Sequence, residues 1–264
     1  MKFRDIRYET DGKLGFLTLS RPEVLNAIRK ETWDELSRAL GEVKRSEETR
    51  CLVISGEGKA FSSGQDLQEM EALMGQEVDY YVVKQNVEKM QQITREIINL
   101  PQPVVAAVNG YAVGAGAELA IACDMRLASE NAGFAFAEVK VGLFESNGVT
   151  YLLPRLVGLG RAKEYLLTGR RITAEEAYKS GLVNRVTSSE KFQEDVEETA
   201  RLMAENAPVS MRYAKTCLNK SGEISLDEAM ILETDAVMTC SYTRDVREGA
   251  RAFLEKRKPD FKGK

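Results

Sequence analysis

The sequence contains no histidine. That excludes Ser-His-Asp and Cys-His catalysis and removes the commonest metal ligand, so acid–base work must fall to Asp, Glu, Lys, Tyr, Cys or water. No run approaches the ~18 apolar residues a membrane helix needs. The opening stretch, MKFRDIRYETDG, holds no apolar segment resembling a signal peptide. The four cysteines, Cys51, Cys123, Cys217 and Cys240, form no CxxC pair and sit in apolar or helical contexts. Buried free thiols suit a reducing compartment, and the cytoplasm is the expected location. A net charge of −4, from 37 basic and 41 acidic side chains, offers no global field for nucleic acid or an anionic membrane. No strict internal period points to a repeat array.

What is present is an ordinary balance of 43% hydrophobic and 30% charged residues over 264 positions. That length suffices for one large domain, or a domain with an appendage, around a real core. Strands are predicted over 6–9 and 14–19, around an Asp11-Gly12 turn. Trp33, Leu36 and Leu40, spaced by three and four, predict a helix over 31–43. A short strand (51–54), a glycine-bearing loop (56–65) and helices over 66–74 and 80–100 follow. Pro101 and Pro103 stop the last of these. A strand over 104–108, a glycine-rich turn, a helix over 116–122 and a strand over 125–128 come next, which favours an α/β domain. Beyond Ser188 no strand pattern remains. Helices are expected over 190–206, 209–220, 225–239 and 243–258, with Ser188 or Ser189 capping the first and Ser225 the third.

Three segments carry chemistry. In Gly114-Ala115-Gly116-Ala117-Glu118 a strand and an Asn-Gly turn lead into a helix start, whose first N–H groups lack internal partners and carry partial positive charge. Small residues let a ligand oxygen reach that backbone, with the Ala115 N–H best placed. Glu118, three residues on, lies on the same face and suits acid or base work beside a polarised carbonyl. A tight packing turn explains the same small residues equally well. In Ala60-Phe61-Ser62-Ser63-Gly64-Gln65-Asp66-Leu67, Gln65 offers a second backbone N–H, while Asp66 also reads as an ordinary helix cap. In FAFAEVKVGLFESNG (134–148), Glu138 and Glu145 stand in apolar surroundings that raise a carboxyl pKa and suit proton transfer; a solvated loop glutamate is the alternative.

Together these segments make the chain similar to the crotonase superfamily, the enoyl-CoA hydratase/isomerase family. The resemblance spans nearly the whole length. It runs through LTLSRPEVLNAI (17–28), KAFSSGQDLQEM, AAVNGYAVGAGAELAIACDMRLAS, FAEVKVGLF, LPRLVG (153–158), LTGRRITAEEAYKSGLVNRV (167–186) and FLEKRKPDFKG (253–263). It implies an α/β fold, a spiral of ββα units over residues 1–190 with the active site. A helical region over 191–264 would assemble trimers, often paired into hexamers. It implies that Gln65 and Ala115 donate backbone N–H groups to a thioester oxygen. Glu118 and Glu138 are then the glutamates that hold and activate water. For the acyl-CoA substrate it points to Glu23, Val24, Leu25, Asn26 and Ala27, to Ala60, Ser63, Gly64, Asp66 and Leu67, and to Gly114. Phe253 and Lys256 would reach a neighbouring subunit's ligand, the lysine meeting coenzyme A phosphates. No metal and no cofactor beyond the coenzyme A of the substrate is implied.

The chain departs from the family after Gly142. Glu145 stands where proline is usual, Ser146 and Asn147 replace small residues, and Phe136 stands where many hydratases carry glutamine. With Phe144, these positions are expected to line the acyl pocket. Glu145 is either a third active-site acid or a side chain turned to solvent. Hydration of a 2,3-enoyl-CoA is the expected activity, with double-bond isomerisation by a carboxylate shuttle as the alternative. A non-catalytic binding protein on the same fold is disfavoured by the intact glutamates.

Overall fold

The computed structural model describes residues 3–74 and 79–264. Strands β1 (Ile6–Asp11) and β2 (Leu14–Leu19) form an antiparallel hairpin, and α1 (Lys30–Arg45) follows. From there strands come in pairs: β3 (Cys51–Gly56) with β4 (Ala60–Ser62), β5 (Val104–Val108) with β6 (Tyr111–Val113), and β7 (Met125–Ser129) with β8 (Gly133–Ala135). The first of each pair joins one sheet, ordered β1-β2-β3-β5-β7-β10, closed by β10 (Arg185–Thr187). The second joins another, ordered β4-β6-β8-β9, closed by β9 (Ile172–Thr173). Parallel pairing from β2 through β10 and from β4 through β8 makes the chain wind as a spiral of ββα turns.

Helices α2 (Leu67–Met74) and α3 (Tyr80–Ile98) lie between the first and second pairs. Helix α4 (Ala115–Ala122) lies between the second and third. Beyond β8 come α5 (Val149–Val157), α6 (Leu159–Thr168) and α7 (Ala174–Ser180). After β10 the chain is helical, with α8 (Phe192–Ala204), α9 (Pro208–Lys220), α10 (Leu226–Ser241) and α11 (Arg244–Glu255).

The parallel strands β3, β5 and β7 of the long sheet are buried on both faces, as parallel strands usually are. Leu52 and Ile54 of β3 join the main core, with Val104, Ala106 and Val108 of β5. Their alternates Cys51, Val53, Val105 and Ala107 pack against Phe192, Val196, Ala200 and Ala204 of α8. This explains the unbroken apolar runs of β3 and β5, since both residue parities meet protein.

Among the described residues no helix is long and apolar enough to cross a membrane. The helices past α8 are covered far less. Helix α10 has no buried residue, and α9 buries only Lys215. Met230, Ile231, Val237, Met238 and Leu254 stand exposed. Lys215 nails α9 to the core: its ammonium donates to the carbonyls of Ile97 (2.9 Å) and Gln102 (3.1 Å) and pairs with Asp124 (2.8 Å).

Three differences from the sequence expectation have local causes. The second sheet was implied only by the ββα resemblance and not by its own residues, because β4, β6 and β8 are three residues each and too short to show a period. The first of them lies inside the segment expected as a loop over 56–65. Ser188 and Ser189 do not cap α8. The cap is Lys191, and the Ser189 hydroxyl instead accepts from the Asn131 amide at 2.7 Å. Ser225 does cap α10, in a reciprocal pair with Glu228.

Candidate active site

The site begins where β6 hands over to α4. Gly114 turns the chain at φ +49° and ψ −125°, and a Cβ there would lie 2.8 Å from Glu138 Oε1. Only glycine fits both demands. Two residues on, a Cβ on Gly116 would lie 2.7 Å from the Ser62 backbone oxygen, so α4 can seat on β4 only through glycine. Every residue of α4 is buried. It is apolar all round except for Glu118, which exposes 1% of its surface. The Ala115 N–H, first in the helix, has no acceptor among the described residues.

The second donor follows from a zipper between two loops. Ser63 N donates to Leu25 O (2.9 Å), Ile28 N to Gly64 O (2.8 Å) and Asp66 N to Ile28 O (2.9 Å). Gln65 therefore sits in a one-residue parallel bridge with Ile28 whose bonds are made by its neighbours. Its own N–H points away from Ile28 and has no acceptor among the described residues. Gly64, at φ +93°, brings this loop onto the helix start: a Cβ there would lie 2.7 Å from Val113 O and 3.4 Å from Ala115 N. Two open backbone donors thus come from adjacent turns, each held by glycine geometry.

Facing them are three carboxyl groups. Glu118 Oε1 accepts from Ser146 N (3.0 Å), and Oε2 accepts from Asn147 Nδ2 (2.6 Å). Burial, then the nearby Glu138 charge, pushes its pKa up to about 7, against the pull of the Ser146 and Asn147 backbone N–H groups. Glu138 opens a 3-10 turn (Glu138–Val141), and its Oε2 is buried without a donor. Burial also raises its pKa, helped by Glu145. Glu145 is 7% exposed and its Oε1 has no donor, which overturns the expectation of a solvent-facing side chain. Glu118 can thus hold or release a proton near neutral pH, beside N–H donors of the kind that stabilise a developing oxyanion.

The sequence profile of the Enoyl-CoA hydratase/isomerase family matches residues 9–264. The chain belongs to this family, the crotonase superfamily. It is 35% identical to the short-chain-enoyl-CoA hydratase of Clostridium acetobutylicum, over 98% of this chain and 97% of that one. It is 38% identical to the crotonyl-CoA hydratase of Syntrophomonas wolfei, over 99% of both. The crystal structure of an enoyl-CoA hydratase from Bacillus anthracis superposes with a TM-score of 0.94 at 35% identity, covering 99% of this chain and 100% of that one.

Other positions implied by the crotonase resemblance fall into three groups. Val24, Leu25 and Leu67 are exposed, Ala27 and Ser63 are half-buried, and all border the same loop pair. The Ser63 hydroxyl donates to Val24 O at 3.2 Å. Asp66 acts as the cap of α2, accepting from Gln68 N (3.1 Å) and Glu69 N (3.3 Å) and pairing with Arg21 at 2.9 Å. Arg21 also donates to Ala27 O at 2.7 Å, so it braces the loop from beneath, a role sequence reading did not assign.

Phe136 and Ala60 expose none of their surface. Phe136 packs in the main core rather than lining an open pocket, so it acts on a bound acyl group only through packing. Phe144, in contrast, is largely exposed. Phe253 (84% exposed) and the exposed Lys256 lie at the end of α11, away from any covering element of their own chain. Ser146 and Asn147 were visible in the sequence only as departures from small residues. Their partner Glu118 lies 28 and 29 positions earlier, beyond any local pattern.

Proposed function

We propose that the chain is an enoyl-CoA hydratase. The thioester oxygen of a 2,3-enoyl-CoA takes hydrogen bonds from Gln65 N–H and Ala115 N–H. One carboxylate of the Glu118–Glu138 pair takes a proton from water as its oxygen bonds to C3. The C2=C3 electron pair shifts toward the thioester, whose oxygen carries the enolate charge. The other carboxyl gives its proton to C2 as that charge collapses. Each N–H donor contributes about 2.7–4 kcal/mol by the measure of a protease oxyanion hole. The observation that carries this reading is the pairing of two unbonded N–H groups with two carboxyls of raised pKa, Glu118 buried and Glu138 half-buried. It needs no metal and no cofactor besides the substrate's coenzyme A.

Loss of the conjugated thioester absorbance on mixing the enzyme with crotonyl-CoA and longer or cyclic enoyl-CoAs tests this directly. If none is hydrated, the reading fails. A second reading, isomerisation of the double bond, is favoured by the buried third carboxyl, Glu145. Product analysis with 3-enoyl-CoAs separates the two.

The same proposal has residues 1–190 carry the chemistry and 191–264 the association of copies into trimers or hexamers. The exposed apolar side chains of α10 and α11 support it. Phe253 and Lys256 would then meet a neighbouring subunit's ligand. We take the cytoplasm as the compartment, a choice supported by four free thiols. No nucleic acid or membrane partner is proposed.

A further inference from the structure

The carboxylate of Glu118 is caged by the loop that carries Ser146 and Asn147. Asn147 is 2% exposed, and its Nδ2 donates to Glu118 Oε2 at 2.6 Å, the shortest bond that carboxylate accepts. Ser146 adds its N–H to Oε1 at 3.0 Å, and its hydroxyl lies 3.5 Å from Oε2. The loop is tied from outside: Gln91, on α3, donates through Nε2 to Ser146 O at 3.1 Å. Asn147 Oδ1 has no donor, so the amide's direct tie is to Glu118 alone.

A buried carboxylate next to two others is driven toward its protonated form, in which it cannot act as a base. The charges acting on Glu118 from the packed elements are Glu138, on the 3-10 turn, and Glu145, on the loop after it. Both disfavour its ionisation. Asp124 and Arg126 lie beyond the far end of α4, and α3 packs against α4 with its neutral Gln91 donating to Ser146 O. An N–H donor favours the charged acceptor over the neutral one. We propose that Asn147 is a positioning residue, whose amide holds the Glu118 carboxylate in the orientation and charge state that accepts a proton from water. A hydrophobic or small residue there lacks the donor.

The proposal rests on Glu118 being the proton acceptor, and the test separates the two claims. Rates with a hydrated enoyl-CoA are followed against pH for the parent, Asn147→Leu, Asn147→Ala and Glu118→Gln. Loss of the donor moves the acid limb of kcat upward by about one pH unit, with about tenfold loss on the acid side and recovery above the new limb. KM stays near the parent's. An infrared titration of the Glu118 carboxyl, assigned by its absence in Glu118→Gln, moves by the same amount without any turnover. A merely structural Asn147 lowers the rate at every pH and leaves both midpoints where they were, and that result overturns the proposal. Should Asn147→Leu fail to fold, the smaller Asn147→Ala, which also lacks a donor, is read in the same way. If Glu118→Gln keeps full hydration, the reading of Glu118 as the acceptor falls first. If Glu118→Gln is inactive while the Asn147 variants keep the parent's limb, only the positioning claim falls.

Discussion

On one side of the site the working groups are backbone; on the other they are side chains. The N–H groups of Gln65 and Ala115 are aimed by the left-handed turn at Gly64, the turn at Gly114 and the close approach at Gly116. The identities of Gln65 and Ala115 matter little there, and what their neighbours lack matters a great deal. In the proposed mechanism Glu118 and Glu138 work through their carboxyls, whose proton affinity is raised by burial and by neighbouring carboxyls. The first side is stiff and insensitive to pH. The second is tunable and sensitive to it. An enzyme that must stabilise an oxyanion and move protons gains from keeping the two tasks in different materials.

The sharpest way to break this division is to neutralise a carboxyl. Glu138→Gln keeps the shape and removes the proton, so hydration is expected to fall by about 10²–10⁴-fold, the usual reach of general acid–base catalysis. Binding of a saturated acyl-CoA, followed by calorimetry, stays close to the parent's because the N–H side is untouched. A fall in affinity to match the fall in rate would show that the two sides are not separate.

A second test addresses the floor beneath both sides. Lys215→Met leaves Asp124 without its cation and two carbonyls without a donor. The expected loss is about 3–5 kcal/mol in urea unfolding, as for a broken buried pair. Asp124 also accepts from Val104 N (2.7 Å) at the start of β5, so the loss spreads to the sheet. Activity per folded molecule is expected to hold.

The third test reaches the backbone side. Gly64→Ala forces a Cβ toward Val113 O at a positive φ. The rate is expected to fall by about 10²–10³-fold, the effect of losing one oxyanion donor, with the pH profile unchanged in position.

The smallest effect belongs to Glu145→Gln. Its charge raises the pKa of both other glutamates, so removing it lowers theirs. With Glu118 ionising at about 7 as the acceptor, activity is lost as pH falls through that value. The acid limb in Glu145→Gln is expected to move to lower pH, by less than about one unit. An upward shift would contradict the charge argument.

Much of this was legible in the amino-acid order. The hairpin, α1, the apolar runs of β3 and β5, the four late helices and the Ser225 cap follow from periodicity, turn residues and capping chemistry, which act within a few positions. Glu118, Glu138, Ala115 and Gln65 could be named from the motifs of the family. The second sheet came only with the ββα resemblance and was not readable from its own residues, because three-residue strands are made by their neighbours rather than by their own propensity. Neither the burial of Glu145 nor the withdrawal of Phe136 into the core was readable, since both depend on how the 134–148 segment lies against α3 and α4. The same holds for the proton affinity of Glu118. Its residue type allowed either charge state, and only packing settled the balance between desolvation, two neighbouring carboxyls and the Ser146 and Asn147 donors. Those donors lie 28 and 29 residues away along the chain but within hydrogen-bonding distance in space, and a carboxyl's charge answers to distance in space.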